Sequence, residues 1–409
     1  MNVWLFDLDG VLVHPVGYHA ALKATVNHLS RAMQLGDCAP DDEAIETFEA
    51  CGITSEWDSS AICLATILFE HWRAHAGLDL PADFAAAVQA VRAFARPADW
   101  NALYRAWAQR IALGLSGAAA RQPSEAALNL FVADAEQFAR DGRVDGLKTL
   151  LEFLLRNTRN FAVSPTLRIF QTYTLGSARF AEHYGIAPMF DTPSLLRELD
   201  RPAISPENRA RILKLRDAGI RPAIFTLRPC MPRQLDVNPA DYPPEAEIAL
   251  EMLRFHELPM IGYGHLFWLT QERGVEPDAY GKPSPVHALA VIARAIGGDE
   301  RASLRAAIAL VESERLESPL DQLRGVGIAI DLFEDSPSGI QGVLNAARLL
   351  ERVGVNVTVH AWGVTESASK RAALQPLGAA VFPDVNDALE QRHRVESDGY
   401  RAGNRLKPT

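Results

Sequence analysis

Two aspartates, Asp7 and Asp9, end the apolar run at the start of the chain, and Gly10 follows them directly. Residues i and i+2 of an extended strand point to the same side, so both carboxylates could face one site. A buried strand has no structural use for two acids at its end, because unpaired buried carboxylates are destabilising. The alternative is a plain turn after an edge strand, since Asp-Gly is a common turn pair.

Three later segments, residues 226–229, 281–285 and 334–337, carry polar side chains of the kinds that act on phosphate groups. Together with residues 7–10 they make four loops, and at least three of these follow a predicted strand. The carboxyl ends of strands in a doubly wound sheet converge on one crevice, where ligands bind. We therefore expect the four segments to meet at one edge of a sheet.

The side chains of these segments can together transfer a phosphoryl group. Asp7, Asp9 and Asp335 supply carboxylates that can hold Mg²⁺, a hard cation that prefers oxygen ligands and neutralises phosphate charge. One aspartate can attack phosphorus and form an aspartyl-phosphate, while a second protonates the leaving oxygen and later takes a proton from water. The hydroxyl of Thr226 and the ammonium group of Lys282 can bind the remaining phosphate oxygens. Mg²⁺ is therefore the expected cofactor.

The elements that must position these residues change in character along the chain. After the first strand region, the chain to about residue 199 is rich in alanine and has apolar residues at helical spacing. Strands and helices alternate from about residue 200, which favours a parallel sheet with crossover helices. We expect an α/β fold, a Rossmann-like doubly wound parallel sheet with a large inserted all-helical cap domain. The predicted domains are a core of residues 1–14 and 200–392, a cap of residues 15–199 and a polar C-terminal tail of residues 393–409.

Apolar runs after the cap predict the remaining strands of the sheet. They lie at residues 221–225, 258–263, 327–333, 355–362 and 379–382. The polar, proline-rich residues 229–244 predict a loop, and the charged residues 300–324 predict a helical insertion on the surface. After Leu389 the chain is polar, and we expect it to fray.

Composition and charge exclude several classes of protein. A chain of 409 residues exceeds a usual single domain, and a net charge of −10 with scattered Lys and Arg argues against nucleic-acid and anionic membrane partners. The four cysteines show no paired spacing, which favours a reducing compartment. No apolar run is long enough to span a membrane. We expect a cytoplasmic protein whose partner is a small phosphorylated substrate, and its oligomeric state is left open.

In residue type and order, the four segments resemble the motifs of the haloacid dehalogenase-like superfamily. Asp-Leu-Asp-Gly-Val at residues 7–11 is similar to the first motif, the strand ending in Thr226 to the second, and Lys282-Pro283 to the third. Phe-Glu-Asp-Ser-Pro-Ser-Gly-Ile at residues 333–340 is similar to the fourth, in the form common in the phosphoglycolate phosphatase and β-phosphoglucomutase-like subgroup. The helical segment has the position of a type-one cap but is larger than usual for this subgroup, so no substrate is carried over.

The resemblance implies a role for each matching residue of the first motif. Asp7 is the expected nucleophile and a metal ligand. Asp9 is the expected general acid and base, and its backbone carbonyl is expected to bind the metal. Dehalogenases of the family lack an acid at the second position, so Asp9 favours a member that acts on phosphate.

The resemblance also implies roles for the later motifs. Thr226 and Lys282 are expected to bind phosphate. Asp335 is the expected direct acidic metal ligand, and Glu334 is expected to bind the metal directly or through water. Taken singly, these residues have ordinary alternatives: a hydroxyl at a strand end, a solvated lysine and an acidic helix start that suits the helix dipole.

Three further residues are weaker candidates for substrate contacts. Residues 52–58 interrupt the helical pattern, and we expect a loop between cap helices from which Trp57 and Asp58 read the leaving group of the substrate. The alternative is a capped helix start with the tryptophan packed inside the cap. Arg228 could contact a phosphate or a carboxylate, or form a surface salt bridge.

The residues together predict a Mg²⁺-dependent phosphatase that hydrolyses a small phosphorylated metabolite through an aspartyl-phosphate on Asp7. A phosphomutase with the same intermediate is the first alternative, and product analysis separates the two. A non-catalytic regulatory protein is the alternative from another class, because a fold does not fix a function. That alternative predicts the loss of at least one motif residue, and none is lost.

Overall fold

The computed structural model describes residues 1–75, 79–93, 98–116, 122–139, 144–276 and 278–403. Within this part of the chain, residue contacts divide the molecule into two compact units. Unit 1 comprises Met1–Pro15 and Asp200–Thr409, and unit 2 comprises Val16–Leu199. Unit 2 is therefore an insertion in the chain of unit 1.

The helices fall into two sets. The helices of unit 2 are α1 (Val16–Ala32), α2 (Asp42–Ala50), α3 (Glu56–Ala74), α4 (Phe84–Ala93), α5 (Trp100–Ser116), α6 (Pro123–Phe138), α7 (Asp145–Leu155), α8 (Pro165–Leu175), α9 (Ser177–Tyr184) and α10 (Leu195–Leu199). Those of unit 1 are α11 (Pro206–Lys214), α12 (Glu245–Leu253), α13 (Tyr263–Arg273), α14 (Pro285–Ala295), α15 (Glu300–Ser313), α16 (Pro337–Arg352), α17 (Ala368–Leu374) and α18 (Val385–Gly403). Short 3₁₀ helices lie at Pro239–Asp241, Leu320–Leu323 and Gln375–Leu377.

The strands belong to unit 1. They are β1 (Asn2–Phe6), β2 (Val13–His14), β3 (Arg201–Pro202), β4 (Ile220–Phe225), β5 (Met260–Ile261), β6 (Ile328–Glu334), β7 (Val357–Val364) and β8 (Ala380–Phe382). Among the described residues, six of them form one parallel sheet in the order β5-β4-β1-β6-β7-β8. The predicted α/β fold with a parallel sheet is confirmed. Chain order runs outward from β1 in both directions, so the topological switch point lies at β1, where ligands bind in such sheets.

β1 contributes to the core on both faces of the sheet. Val3 and Leu5 belong to one buried cluster, and Trp4 and Phe6 belong to the other. This alternation is the two-residue period of a strand, and because β1 is apolar at each position from Val3 to Phe6 it has to be covered on both faces. Helices α14, α15 and α16 add residues to the first cluster, and α11, α12 and α18 add residues to the second.

Three helices of unit 1 begin at a serine that is followed by proline. The side chains of Ser205, Ser284 and Ser336 accept hydrogen bonds from backbone N–H groups in the first turns of α11, α14 and α16. Such caps satisfy donors that a helix start leaves unpaired, and proline suits the first helical position. Because α14 and α16 follow the loops that carry Lys282 and Asp335, these caps fix where those loops end.

The charged residues 300–324 are not the surface insertion that their composition predicts. α15 packs against α14, and Leu304, Ala307 and Leu310 are buried in the first core cluster. The apolar residues recur every three or four positions and form one stripe, while the charged residues occupy the other face. The charged composition of α15 therefore does not indicate that its apolar face is part of the core.

The expectation that the chain frays after Leu389 is wrong, because α18 continues to Gly403. Residues 404–409 lie outside the described part of the chain. The helix packs into the second core cluster through Val385, Ala388 and Leu389. Arg392 extends this anchor through an ion pair with the buried Asp331, which apolar periodicity does not reveal.

Unit 2 is helical in its described residues and is built around α3. Helix α3 packs against α1, α5, α6, α7 and α8, and its positions from Asp58 to Trp72 are all buried. A helix covered on every side needs apolar residues all round, and the sequence from Ala61 to Phe69 supplies them. Among the described helices, none combines the length and the hydropathy of a membrane-spanning segment.

A two-stranded antiparallel ribbon joins the two chain segments of unit 1 that flank the insertion. β2 pairs with β3, with Val13 opposite Pro202 and His14 opposite Arg201. The N–H of Ala203 also donates to the carbonyl oxygen of Leu12 at 2.9 Å. The chain therefore leaves unit 1 and returns to it along neighbouring strands.

Candidate active site

The carboxyl ends of β4, β1 and β6 bring Thr226, Asp7 and Glu334 to the same edge of the sheet. Phe6 of β1 is in register with Ile224 of β4 and Phe333 of β6. Asp7 and Glu334 follow directly, and Thr226 follows two residues after Ile224. The N–H of Asp7 donates to the carbonyl oxygen of Phe333 at 3.0 Å, which extends the pairing to the aspartate itself. The structure thus brings three of the predicted site residues together at the switch point.

Asp7, Glu334 and Asp335 form a compact carboxylate group, in which one oxygen of each lies within 4.8 Å of the others. Two glycines make room for it. A side chain on Gly339 would collide with Glu334, and a Cβ on Gly10 would lie 2.5 Å from Asp335 Oδ2. Gly10 also has a φ of +76°, a conformation that side chains disfavour.

Lys282 supplies a cation inside this group. Its Nζ lies 2.7 Å from Glu334 Oε2 and 3.2 Å from Asp7 Oδ1, and its side chain is 4% exposed. The same nitrogen lies 4.3 Å from the centre of the Phe225 ring, a favourable cation–π distance. The lysine comes from the loop before α14 rather than from a strand end, so the start of that helix positions it.

His287 lies behind this lysine and stays uncharged. Its Nε2 is 2.9 Å from the carbonyl oxygen of Ile261, and its ring centre is 4.4 Å from that of Phe225. Burial, and then the positive charge of Lys282, lower the pKa of His287 to about 3. The histidine is therefore neutral near pH 7 and leaves Lys282 as the cation at this position.

The pKa values of the site residues depart from their ordinary values. Burial raises the pKa of Asp7, and the negative charge of Glu334 adds to this while Lys282 opposes it. Burial also raises the pKa of Asp335, against the effect of Lys370. Burial acts to lower the pKa of Lys282, but the carboxylates of Asp7 and Glu334 outweigh it and raise that pKa. A charged carboxylate is therefore unfavourable here unless more positive charge is added.

The donor set of the carboxylate group fits Mg²⁺, which prefers oxygen ligands and is commonly held by one or two carboxylates with waters. Glu334 is already engaged, because its Oε1 accepts hydrogen bonds from the N–H and the hydroxyl of Ser336 at 3.1 and 2.7 Å and its Oε2 pairs with Lys282. Asp7 and Asp335 could hold a cation directly. Glu334 could reach it through water.

Thr226 is buried at the end of β4. Its Oγ1 accepts a hydrogen bond from the N–H of Arg228 at 3.1 Å. Because this contact uses a lone pair, the hydroxyl hydrogen can be directed to an oxygen of a bound phosphate. The arrangement is compatible with the predicted role of Thr226, which stays a prediction.

Within the described residues, the compact carboxylate group does not include the side chain of Asp9, which Arg228 holds. Arg228 Nε lies 3.1 Å from Asp9 Oδ2, and its Nη2 donates to Asp9 Oδ1. The same Nη2 lies 3.1 Å from Oδ2 of Asp200. The arginine side chain is fully buried, so the surface salt bridge considered for Arg228 is wrong and its partners are carboxylates. Metal binding by the backbone carbonyl of Asp9 stays a prediction.

Trp57 and Asp58 lie in unit 2, in the first turn of α3 and not on a loop. Asp58 is fully buried and pairs with Arg159, with Nη1 3.0 Å from Oδ1. This contact favours the alternative of a helix start inside the cap, with Asp58 in a structural ion pair. Substrate contact by the half-buried Trp57 stays a prediction.

Sequence reasoning missed Lys370 and Asp200. Lys370 lies in α17, and its Nζ is 2.6 Å from Asp335 Oδ2. Asp200 is buried directly before β3 and meets Arg228. A lysine near a helix start and an aspartate after a short helix carry no local signal, because only the tertiary fold brings them to the site.

Comparison with known proteins gives the fold. No family model matches the sequence, and no curated protein matches it. The chain is similar to an X-ray structure of a Northeast Structural Genomics Consortium target, with a TM-score of 0.57 and 14% identity over 93% of this chain and 96% of that one. A phosphatase from Thermococcus thioreducens aligns with a TM-score of 0.42 and 15% identity over 88% of this chain and 91% of that one. The first likeness shows a shared fold over nearly the whole chain.

Proposed function

We propose that this protein is a Mg²⁺-dependent phosphatase that hydrolyses a small phosphorylated metabolite through an aspartyl-phosphate on Asp7. The observation that carries the proposal is the compact group of Asp7, Glu334 and Asp335 around the buried Lys282. This group lies at the switch point of the sheet and holds more negative than positive charge. When bound, Mg²⁺ would neutralise phosphate charge and let an anionic nucleophile approach it.

In the first step Asp7 attacks phosphorus. A bond forms between a carboxylate oxygen of Asp7 and the phosphorus atom, and the bond from phosphorus to the leaving oxygen breaks. Lys282, 3.2 Å from Asp7 Oδ1, opposes protonation of this carboxylate and adds positive charge for the phosphate oxygens. Thr226, at the end of the neighbouring strand β4, donates its hydroxyl hydrogen to an oxygen of the phosphate.

Asp9 handles the protons. It gives a proton to the leaving oxygen in the first step, and then takes a proton from the water that attacks the aspartyl-phosphate. This second attack breaks the bond between the phosphorus atom and the Asp7 oxygen and releases inorganic phosphate. Asp7 lies beside Lys282 whereas Asp9 is held by Arg228, and these different surroundings support different roles for the two aspartates.

The experiment is phosphate release from a panel of phosphorylated metabolites, with Mg²⁺ and with chelator. We compare the wild type with Asp7→Asn, and use Asp331→Asn as the control because Asp331 is a buried aspartate of the next strand with an arginine partner. We expect release that needs Mg²⁺, falls by at least about a thousandfold in Asp7→Asn, and is retained in the control. Equal release by Asp7→Asn and the wild type would contradict the proposal.

Product analysis separates the proposal from a phosphomutase, which would use the same aspartyl-phosphate. A phosphatase releases free phosphate, whereas a mutase returns an isomerised phosphate ester and little phosphate. No turnover of any compound, with Mg²⁺ bound in calorimetry, would favour the regulatory alternative over both enzymes.

A further inference from the structure

Arg228 lies between two carboxylates that come from different parts of unit 1. On one side it makes a two-nitrogen contact with Asp9, and on the other its Nη2 lies 3.1 Å from Asp200 Oδ2. The three side chains differ in exposure: Arg228 is 0% exposed, Asp200 is 1% exposed and Asp9 is 31% exposed. The arginine thus links the buried carboxylate of Asp200 to the carboxylate of Asp9, which a ligand can reach.

Asp200 and Asp9, the two carboxylates that contact Arg228, both lie next to the β2–β3 ribbon. Asp200 directly precedes β3, which pairs with β2, and Asp9 forms a bridge with Val13 at the start of β2. Both carboxylates therefore lie next to the same ribbon, Asp9 beside the first residue of β2 and Asp200 directly before β3. Arg228 links them from the loop after β4, so three separate chain segments converge on one guanidinium group.

Charge and geometry favour a positioning role for this set. A planar guanidinium that binds a carboxylate through two nitrogens fixes its orientation as well as its distance. A buried arginine also needs compensating negative charge, and Asp200 supplies it where no ligand reaches. With this anchor, Arg228 can hold Asp9 without being drawn toward the carboxylate group of the site.

We propose that Asp200 is a positioning residue, which acts through Arg228 to keep the carboxylate of Asp9 in one orientation. This inference rests on the proposed function, in which Asp9 gives and takes protons. Proton transfer needs an aligned donor within hydrogen-bond reach, and small displacements of a reacting group can lower the rate by about a hundredfold. Loss of the anchor should therefore lower kcat more than it changes KM.

The test is Asp200→Asn, which keeps the shape of the side chain and removes its charge. We expect kcat to fall about tenfold with KM within about twofold, since the residue touches Asp9 through Arg228 and not the substrate. Asp331→Asn is the matched control, because it removes charge from another buried Asp–Arg pair of unit 1, and its kcat should stay within about twofold of the wild type.

A double-variant comparison separates positioning from a purely structural role. In an Asp9→Ala background, Asp200→Asn should have less than about a twofold further effect, because the group that it positions is gone. An equal loss of kcat in both backgrounds overturns the proposal. So does an Asp200→Asn protein that is less stable in urea but keeps the kcat of the wild type.

Crystal structures of the wild type and of Asp200→Asn provide a readout that needs no activity. We expect the Asp9 carboxylate to leave Arg228, or to occupy several orientations, in the variant. An unchanged Asp9–Arg228 contact overturns the positioning role even if no phosphorylated compound is turned over. Failure of phosphate release in the wild type, by contrast, contradicts the proposed function. The crystal structures then still decide whether Asp200 positions Asp9.

Discussion

Two buried clusters of unit 1 join carboxylates to cations, and they differ in charge balance. At the end of β6, Asp7, Glu334 and Asp335 meet the buried Lys282. Three residues earlier on the same strand, Asp331 holds Arg392 of α18, with Nε 2.6 Å from Oδ1. The first cluster has carboxylates in excess, whereas the second sets one aspartate against one arginine.

The surroundings of the second cluster explain its simpler role. Asp331 Oδ1 also accepts a hydrogen bond from Trp362 Nε1 at 2.9 Å, and the Arg392 guanidinium lies 5.4 Å from the Trp4 ring centre. These contacts tie the last helix to the sheet and leave the charges matched. Buried charge by itself therefore does not indicate a site, whereas unmatched charge at the switch point of a sheet indicates a candidate site.

Removal of the cation of the first cluster tests whether its charge serves a reaction. Lys282→Met leaves Asp7 and Glu334 side by side without their lysine, and removes a positive charge that the proposed reaction uses on phosphate. We expect kcat/KM for phosphate release to fall by about a hundred- to a thousandfold. Lys214→Met, at an exposed position of α11, is the control. A loss of less than about tenfold would place Lys282 outside the machinery.

The reverse experiment removes the cation of the second cluster. Arg392→Met leaves Asp331 as an uncompensated buried charge, so the free energy of unfolding should fall by about 3 kcal/mol. Urea denaturation measures this change, and phosphate release per folded molecule should stay near the wild-type value. Loss of activity without loss of stability would mean that the matched cluster also serves the reaction.

A weaker effect is expected on the pH dependence of the affinity for Mg²⁺. Burial raises the pKa values of Asp7 and Asp335 in the metal-free protein, so protons compete with Mg²⁺ for these carboxylates at higher pH than for ordinary aspartates. Affinity for Mg²⁺ in calorimetry should rise with pH, by up to about tenfold per pH unit for each proton displaced. The Arg392→Met protein should show the same dependence of Mg²⁺ affinity on pH. An affinity that does not change with pH would mean that the raised pKa values do not affect metal binding.

The stability of the metal-free protein should follow the opposite trend. A carboxyl whose pKa is higher in the folded state binds protons more tightly there than in the unfolded chain. Its contribution is present below the ordinary pKa of 3.8 and is lost as the pH rises through the raised value. Denaturation in chelator at several pH values checks this sign.

Much of the fold could be predicted because its elements repeat a pattern over several residues. The strand that carries Asp7 and the strand that carries Glu334 are apolar runs bounded by polar loops, and their alternation with helices indicates a parallel sheet. The composition of α15 predicts a surface element because its charged face dominates, but Leu304 and Leu310 form a buried stripe. Local pattern therefore predicts elements better than it predicts which of them are covered.

The candidate site was predictable where a residue lies in a recognisable segment. Asp7, Lys282 and Asp335 come from such segments, and the structure brings them to one edge of the sheet. The partners of Asp9 and Asp335 were not predictable, because Arg228 had two ordinary interpretations and Lys370 lies on a helix with no motif. Pairing of distant charges depends on how the chain closes, and no periodicity in the sequence records that.

The ribbon of β2 and β3 has a consequence for how the two units can be exchanged. His14 and Arg201 are opposite each other in an antiparallel pair, and paired strands lie about 4.8 Å apart. A turn of about two residues spans such a gap in ordinary hairpins. A short turn that retains Pro15 and Asp200 and adds a glycine would therefore close unit 1 on itself, and a different insert could be grafted at the same position. The whole of Val16–Leu199 behaves, in terms of connectivity, as the tip of a β-hairpin.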